Sequence, residues 1–148
     1  MNVVLDKEAF MPTKAHEDDA GFDLYAPHDF VIKGNISSNF YIQKFSLSSA
    51  IVDTGVHIAI PKGFVGMVKS KSGLNVKKGL VAEGVIDCGY TGSIVVKLYN
   101  NSQYEYSFKR GDKIAQLVVM PISTEGLELV DKLDDTERGT GGFGSTGR

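Results

Sequence analysis

Short runs of β-branched and aromatic residues, interrupted about every ten positions by Gly, Pro, Asn or Asp, make up most of the chain. Runs of this length, several alternating apolar with polar positions, read as strands rather than helices. Val56–Ile60 (VHIAI), the turn Pro61-Lys62-Gly63 and Phe64–Ser70 (FVGMVKS) predict a hairpin. Leu80–Ile86 (LVAEGVI) and Ser93–Tyr99 (SIVVKLY) predict a second one around the tip Asp87–Gly92. Lys113–Ile122 is too short and too β-branched for a helix, and Leu127–Val130 (LELV) reads as a further strand, as do NVVL, FDLYA and DFVIK earlier in the chain. Only Gly73–Lys78 admits a helical turn or two. The polar stretch 34–49 fits either a long excursion or a hairpin. The pattern predicts an all-β sandwich or barrel.

Length and composition narrow the class. The 148 residues amount to about one domain, long enough for an ordinary core. A hydrophobic fraction of 42% with 23% charged residues argues against disorder, collagen and coiled coil. The net charge of −2 is not that of a chain that coats nucleic acid or anionic membrane. No run approaches the ~20 apolar residues of a membrane span, and MNVVLDKEAF carries charges where a signal peptide is apolar. One cysteine, Cys88, excludes an internal disulfide and a cysteine zinc site, so a reducing compartment, cytoplasm or nucleus, is expected. Five glycines lie in Arg138–Arg148. The expected layout is therefore a β domain over 1–133 and a glycine-rich arm over 134–148.

Four polar clusters interrupt the strands. In AGFDLYA (20–26), alternation puts Asp23 on the face opposite Phe22 and Leu24, where a solvated strand aspartate is the plain alternative to a function. In KSKSGL (69–74), two lysines and two serines precede a helix start, a pattern that serves either as an anion site or as a serine cap beside solvated lysines. In GVIDCGYTG (84–92), Asp87 ends an apolar strand with Tyr90 three residues on; it is either turn chemistry or a carboxylate with an aromatic wall. In the tail, Arg138 and Phe143 among glycines make either a plain linker or an arm that pairs a guanidinium with phosphate and stacks a ring on a base. His16, His28 and His57 are scattered and suggest no metal site.

In order, AGFDLYA, KSKSGL, GVIDCGYTG, FKRGDKIAQL (108–117) and RGTGGFGSTG (138–147) resemble the five motifs of the trimeric deoxyuridine triphosphatases, the dUTPases, across nearly the whole chain. The resemblance implies a distorted jelly-roll or β-barrel of the β-clip kind. It implies a homotrimer in which the C-terminal arm of one chain closes over a site formed by the other two. It further implies Mg²⁺-dependent hydrolysis of dUTP to dUMP and pyrophosphate, which keeps uracil out of DNA and supplies dUMP for dTMP synthesis.

The same resemblance distributes roles. Asp87 falls where an aspartate activates the attacking water, as a carboxylate at neutral pH can. Tyr90 falls where a ring packs on the deoxyribose. Gly84, Val85 and Ile86, with Val95 on the facing strand, fall on the hairpin that reads the uracil edge. Lys71, Ser72 and Gly73 match an Arg-Ser-Gly that holds phosphates, joined by Gln116 and Lys113. Arg138 matches the arm arginine directed at the γ-phosphate, Phe143 the stacking aromatic, and Gly144, Ser145 and Thr146 further phosphate donors. Asp23 matches an aspartate that meets Mg²⁺ only through water, the ion being held mainly by the triphosphate.

Three departures stand out. Lys71 replaces an arginine, giving a point charge in place of a bidentate fork. Glu83 has no counterpart role. The stretch 34–49 is longer than the family's connection and is a candidate site for a protein partner. Three rivals stand beside this reading: a dCTP deaminase of the same superfamily, or a bifunctional deaminase and triphosphatase, which needs a glutamate such as Glu83; a non-catalytic nucleotide-binding or regulatory protein; and an unrelated jelly-roll module. The expected location is cytoplasmic, or host cytoplasm or nucleus if the source is viral.

Overall fold

The structure is a computed structural model that describes residues 1–35 and 48–142. Ten strands and one short helix occur among them: β1 Val3–Leu5, β2 Gly21–Tyr25, β3 Phe30–Ile32, β4 Ser48–Asp53, β5 Val56–Ile58, β6 Phe64–Lys69, α1 Ser72–Lys78, β7 Leu80–Ile86, β8 Val95–Asn100, β9 Tyr106–Phe108 and β10 Lys113–Pro121. The main sheet has the order β2-β10-β6-β7-β8-β4, flanked by the two-stranded ribbons β1-β5 and β3-β9. Every described pair is antiparallel.

The inward positions of nearly all these strands meet in one core. Leu24, Val68, Leu80, Val96, Leu98, Ile114 and Leu117 are fully buried in it, and Phe108 stacks on Phe30 with ring centroids 4.8 Å apart. Burial of this many aliphatic side chains, each contributing about 1.5–3 kcal/mol, is what holds the curled sheet and its flanking ribbons around one core. The all-β expectation holds, and α1 lies where the single helical stretch is expected.

Two expectations change. Val56–Ile60 and Phe64–Ser70 do not form a hairpin: β5 pairs with β1, while β6 pairs with β10 and β7. Gly63, in the left-handed region at φ +82, turns the chain between two different sheets. Leu127–Val130 is not a strand. It lies in a run, 121–140, that is exposed throughout, with Leu127 and Leu129 almost wholly in solvent. A strand requires a partner edge, and the described part of this chain offers none there. Most of the 34–49 stretch lies outside the described residues. At its base the Ser48 N–H donates to Asn35 Oδ1 at 2.8 Å, and Asn35 Nδ2 donates to the Asn100 carbonyl at 2.7 Å.

Candidate active site

Asp23 lies mid-strand in β2, yet it is only 3% exposed. The free edge of β2 is paired by a bridge from Thr13, whose carbonyl accepts the Asp23 N–H at 2.7 Å, while Lys71 and Lys113 close over the carboxylate on its face. The solvated-aspartate alternative is thereby overturned. One carboxylate oxygen takes Lys113 Nζ at 2.7 Å and the other takes Lys71 Nζ. Burial pushes the Asp23 pKa up, but hydrogen bonds from Lys113 and Lys71 and their positive charges outweigh it and hold the carboxyl below the usual value. In return, the bond to Asp23 raises the pKa of Lys113.

A bulge aims Lys113. Alternation from Gln116 would put Lys113 on the far face of β10. The register slips between Lys113 and Ala115, and the extra residue brings the side chain round to the Asp23 side. Gln116 stands directly opposite Asp23 on one side and Lys69 on the other. Its Nε2 donates to the Ser70 carbonyl at 3.0 Å. Gly21 makes room for it, since a Cβ there would meet Gln116 Cβ at 3.1 Å and Oε1 at 2.7 Å. Where β6 ends, the Ser70 hydroxyl stands in for the ladder, accepting the Ala82 N–H at 2.9 Å and donating to the Ala82 carbonyl at 3.2 Å. Lys71 is the N-cap of α1 with no side-chain cap bond, and Ser72 and Gly73 open the helix, so the expected serine cap is absent.

The second group lies on β7 and the loop after it. Between Glu83 and Ile86, β7 pairs with β6; between Leu80 and Ala82 it pairs with β8. β8 pairs with β4 all the way from Val95 to Asn100. The ladder joining β7 to β8 therefore stops at Ala82–Leu98, and the strands diverge toward the loop. The divergent part holds Gly84, Val85, Ile86 and Val95, with Val85 and Val95 half-exposed or more. Asp87 follows Ile86 at the lip and is exposed; its carbonyl accepts the Tyr90 N–H at 3.2 Å. Gly89, at φ +85, closes this turn. The Tyr90 hydroxyl donates to the Ser93 carbonyl at 3.1 Å, and a Cβ at Gly92 would push the end of the Tyr90 ring from this position.

This loop is tied down from outside. Asp53 accepts the Ser93 hydroxyl and, at 3.1 Å, the Gly55 N–H. Thr54 Oγ1 donates to the Ile94 carbonyl at 2.7 Å. His57 Nδ1 donates to the Thr91 carbonyl at 2.8 Å, with its Nε2 3.5 Å from Asp6. The Thr91 bond, opposed by burial and helped by Asp6, raises the His57 pKa.

Lys71, Ser72, Gly73, Lys113, Gln116 and Asp23 thus form one group, and Gly84 to Ile86, Asp87, Tyr90 and Val95 another. Among the described residues no hydrogen bond or ion pair joins the two groups. Arg138 is exposed and held in its own turn, its Nε donating to the Gly141 carbonyl at 3.0 Å. Phe143, Gly144, Ser145 and Thr146 lie outside the described residues. Sequence reasoning overlooks the Lys69–Glu83 pair and the His57 tie, both of which depend on which strands become neighbours. No group of three or more His, Cys, Asp or Glu side chains able to hold a metal occurs among the described residues. No described helix is long and apolar enough to cross a membrane.

Comparison with known proteins bears on this arrangement. The dUTPase family model matches residues 7–147. The deoxyuridine 5'-triphosphate nucleotidohydrolase of Mus musculus is 42% identical over 147 residues, covering 99% of this chain and 83% of the relative. The dUTPase of Staphylococcus bacteriophage 80alpha, solved with dUpNHpp, superposes with a TM-score of 0.85 at 30% identity, covering 99% of this chain and 98% of the other. A point mutant of the phage phi11 dUTPase, solved with a structural Mg(II) ion, gives 0.75 at 30% identity, covering 88% and 96%.

Proposed function

The chain belongs to the dUTPase family, and from that premise we propose that it hydrolyses dUTP to dUMP and pyrophosphate. The observation that carries this reading is the divergence of β7 from β8 beyond Ala82–Leu98, with Asp87 at its mouth. Main-chain N–H and C=O groups left without a ladder partner suit the edge of a flat pyrimidine. Such a slot rejects cytosine by mismatched donors and acceptors, and thymine by the volume of its methyl group. Tyr90, braced by Ser93, walls the sugar against a 2′-hydroxyl.

Asp87 orients a water molecule and takes its proton as the oxygen attacks the α-phosphorus in line. The α–β bridge breaks and pyrophosphate leaves. Lys71, Lys113 and the donors of Ser72 and Gly73 stabilise charge on the polyphosphate, and the bound Asp23 holds both lysines in place. Arg138 and the arm bearing Phe143, Gly144, Ser145 and Thr146 complete the clamp on closing. The described side chains do not amount to a metal cage, and both Asp23 oxygens are engaged by lysines. Mg²⁺ would accompany the substrate triphosphate and offset its charge, and a water-mediated approach to Asp23 would compete with two ammonium groups.

We read the site as one assembled from several copies, a homotrimer, as the family resemblance implies. The observation that supports it is the apolar run Leu127, Leu129 and Leu133, which stands in solvent and would be covered by a neighbouring copy. Sedimentation should give a species three times the 16.0 kDa chain mass; an active monomer would refute it. Activity is tested by pyrophosphate release from dUTP, with none from UTP, dCTP or dTTP. Equal release from all four would end the reading. The deaminase alternative loses ground to the dUTPase family match over residues 7–147, and product analysis with dCTP tests it.

A further inference from the structure

One row of polar side chains crosses four strands. Asp23 on β2 stands opposite Gln116 on β10, Gln116 opposite Lys69 on β6, and Lys69 opposite Glu83 on β7. Directly opposed residues share a sheet face, so all four point the same way. Lys71, two residues beyond Lys69, reaches the same face, since its Nζ is bonded to Asp23. Lys69 is thus a third ammonium on the face that presents Lys71 and Lys113. Its Nζ is ion-paired with Glu83, and both side chains are about half-exposed.

We infer that Lys69 is a further polyphosphate-binding residue and that Glu83 is its tether; the inference rests on the reading of this face as the triphosphate side of the site. Lys71 and Lys113 are partly neutralised by the buried carboxylate of Asp23. A substrate with several negative charges gains from an additional cation that only an exposed carboxylate restrains. An exposed pair of this kind holds loosely, at about 0.2–1 kcal/mol, so Lys69 can leave Glu83 for phosphate at little cost.

The test compares binding of dUpNHpp with binding of dUMP, in the full-length protein. Lys69→Met should weaken dUpNHpp by about fivefold, on the scale of one partly exposed charge contact, and change dUMP by less than twofold. Glu83→Gln should tighten dUpNHpp or leave it unchanged, because the lysine is released. The exchange Lys69→Glu with Glu83→Lys keeps an ion pair across the strands but moves the cation, and it should bind dUpNHpp as poorly as Lys69→Met. Restored affinity in the exchange, or equal losses for dUpNHpp and dUMP in Lys69→Met, would make the pair a brace between β6 and β7 and overturn the inference. Lys69→Arg keeps the charge and should bind like wild type, which guards against a folding defect in the methionine variant. Wild-type pyrophosphate release from dUTP is run alongside. Its absence would reject the functional reading, whereas its presence with unaltered Lys69→Met binding would reject only the role of Lys69.

Discussion

Lys71 pairs with the buried carboxylate of Asp23, 48 positions earlier in the chain, so the second polar cluster is anchored on the first. The consequence is measurable in acid. Asp23 has its pKa depressed in the folded state, so its contribution to stability is present above the unfolded value near 3.8 and is lost as pH falls through the folded value. Asp23→Asn should cost about 1–3 kcal/mol at pH 7. The gap between variant and wild type should narrow below about pH 4. Urea unfolding at pH 7 and pH 3 measures both; a gap of the same size at pH 3 would show that ionisation is not the source.

Asp87 lies outside this network, so replacing it should not disturb the fold. Asp87→Asn should lower turnover by about 10²–10⁴-fold, the range for loss of a general base, while dUpNHpp binding stays measurable. Near-normal turnover would remove Asp87 as the base.

His57 gives a dependence of opposite sign. Its pKa is raised on folding by the Thr91 carbonyl and, against burial, by Asp6. Its contribution is therefore full below the unfolded value of 6.5 and disappears as pH rises through the folded value. The wild-type Tm should fall over that window, and His57→Gln should flatten the profile. Direct NMR titration of His57, repeated with Asp6→Asn, should show the pKa moving down; an unmoved pKa would refute the tie to Asp6.

Residues 123–142 hydrogen-bond only among themselves within the described part of the chain. A chain ending at Asp135 should therefore keep the Tm of the barrel yet lose about tenfold or more in dUTP turnover, as expected when a closing segment and its arginine are removed. Full activity would show that the arm is dispensable.

What could be read from the chain in advance was mostly local. The strand character of Gly21–Tyr25, Leu80–Ile86 and Lys113–Pro121, and the turn at Gly89, follow from residue type and period. The resemblance named the residues that now gather around Asp23. The missing part depended on neighbours far along the chain. The burial of Asp23 needs Lys71 and Lys113 to reach it from the start of α1 and from β10, the aim of Lys113 needs a bulge, and the partner of Glu83 is chosen by the β6–β7 register. Leu127–Val130 has the composition of a strand but no edge in its own chain to join.

A strand that abandons one neighbour for another halfway along its length leaves main-chain groups without a ladder partner on the abandoned side. On the proposed reading, discrimination built in that way would be hard to lose by point mutation. Replacing Val85 or Val95 changes what protrudes into solvent, while the amides that would greet a pyrimidine stay where the two ladders hold them. Altering the choice of base would require shifting β7 against β8, and the buried Ala82 and Leu98 at the point of divergence resist that.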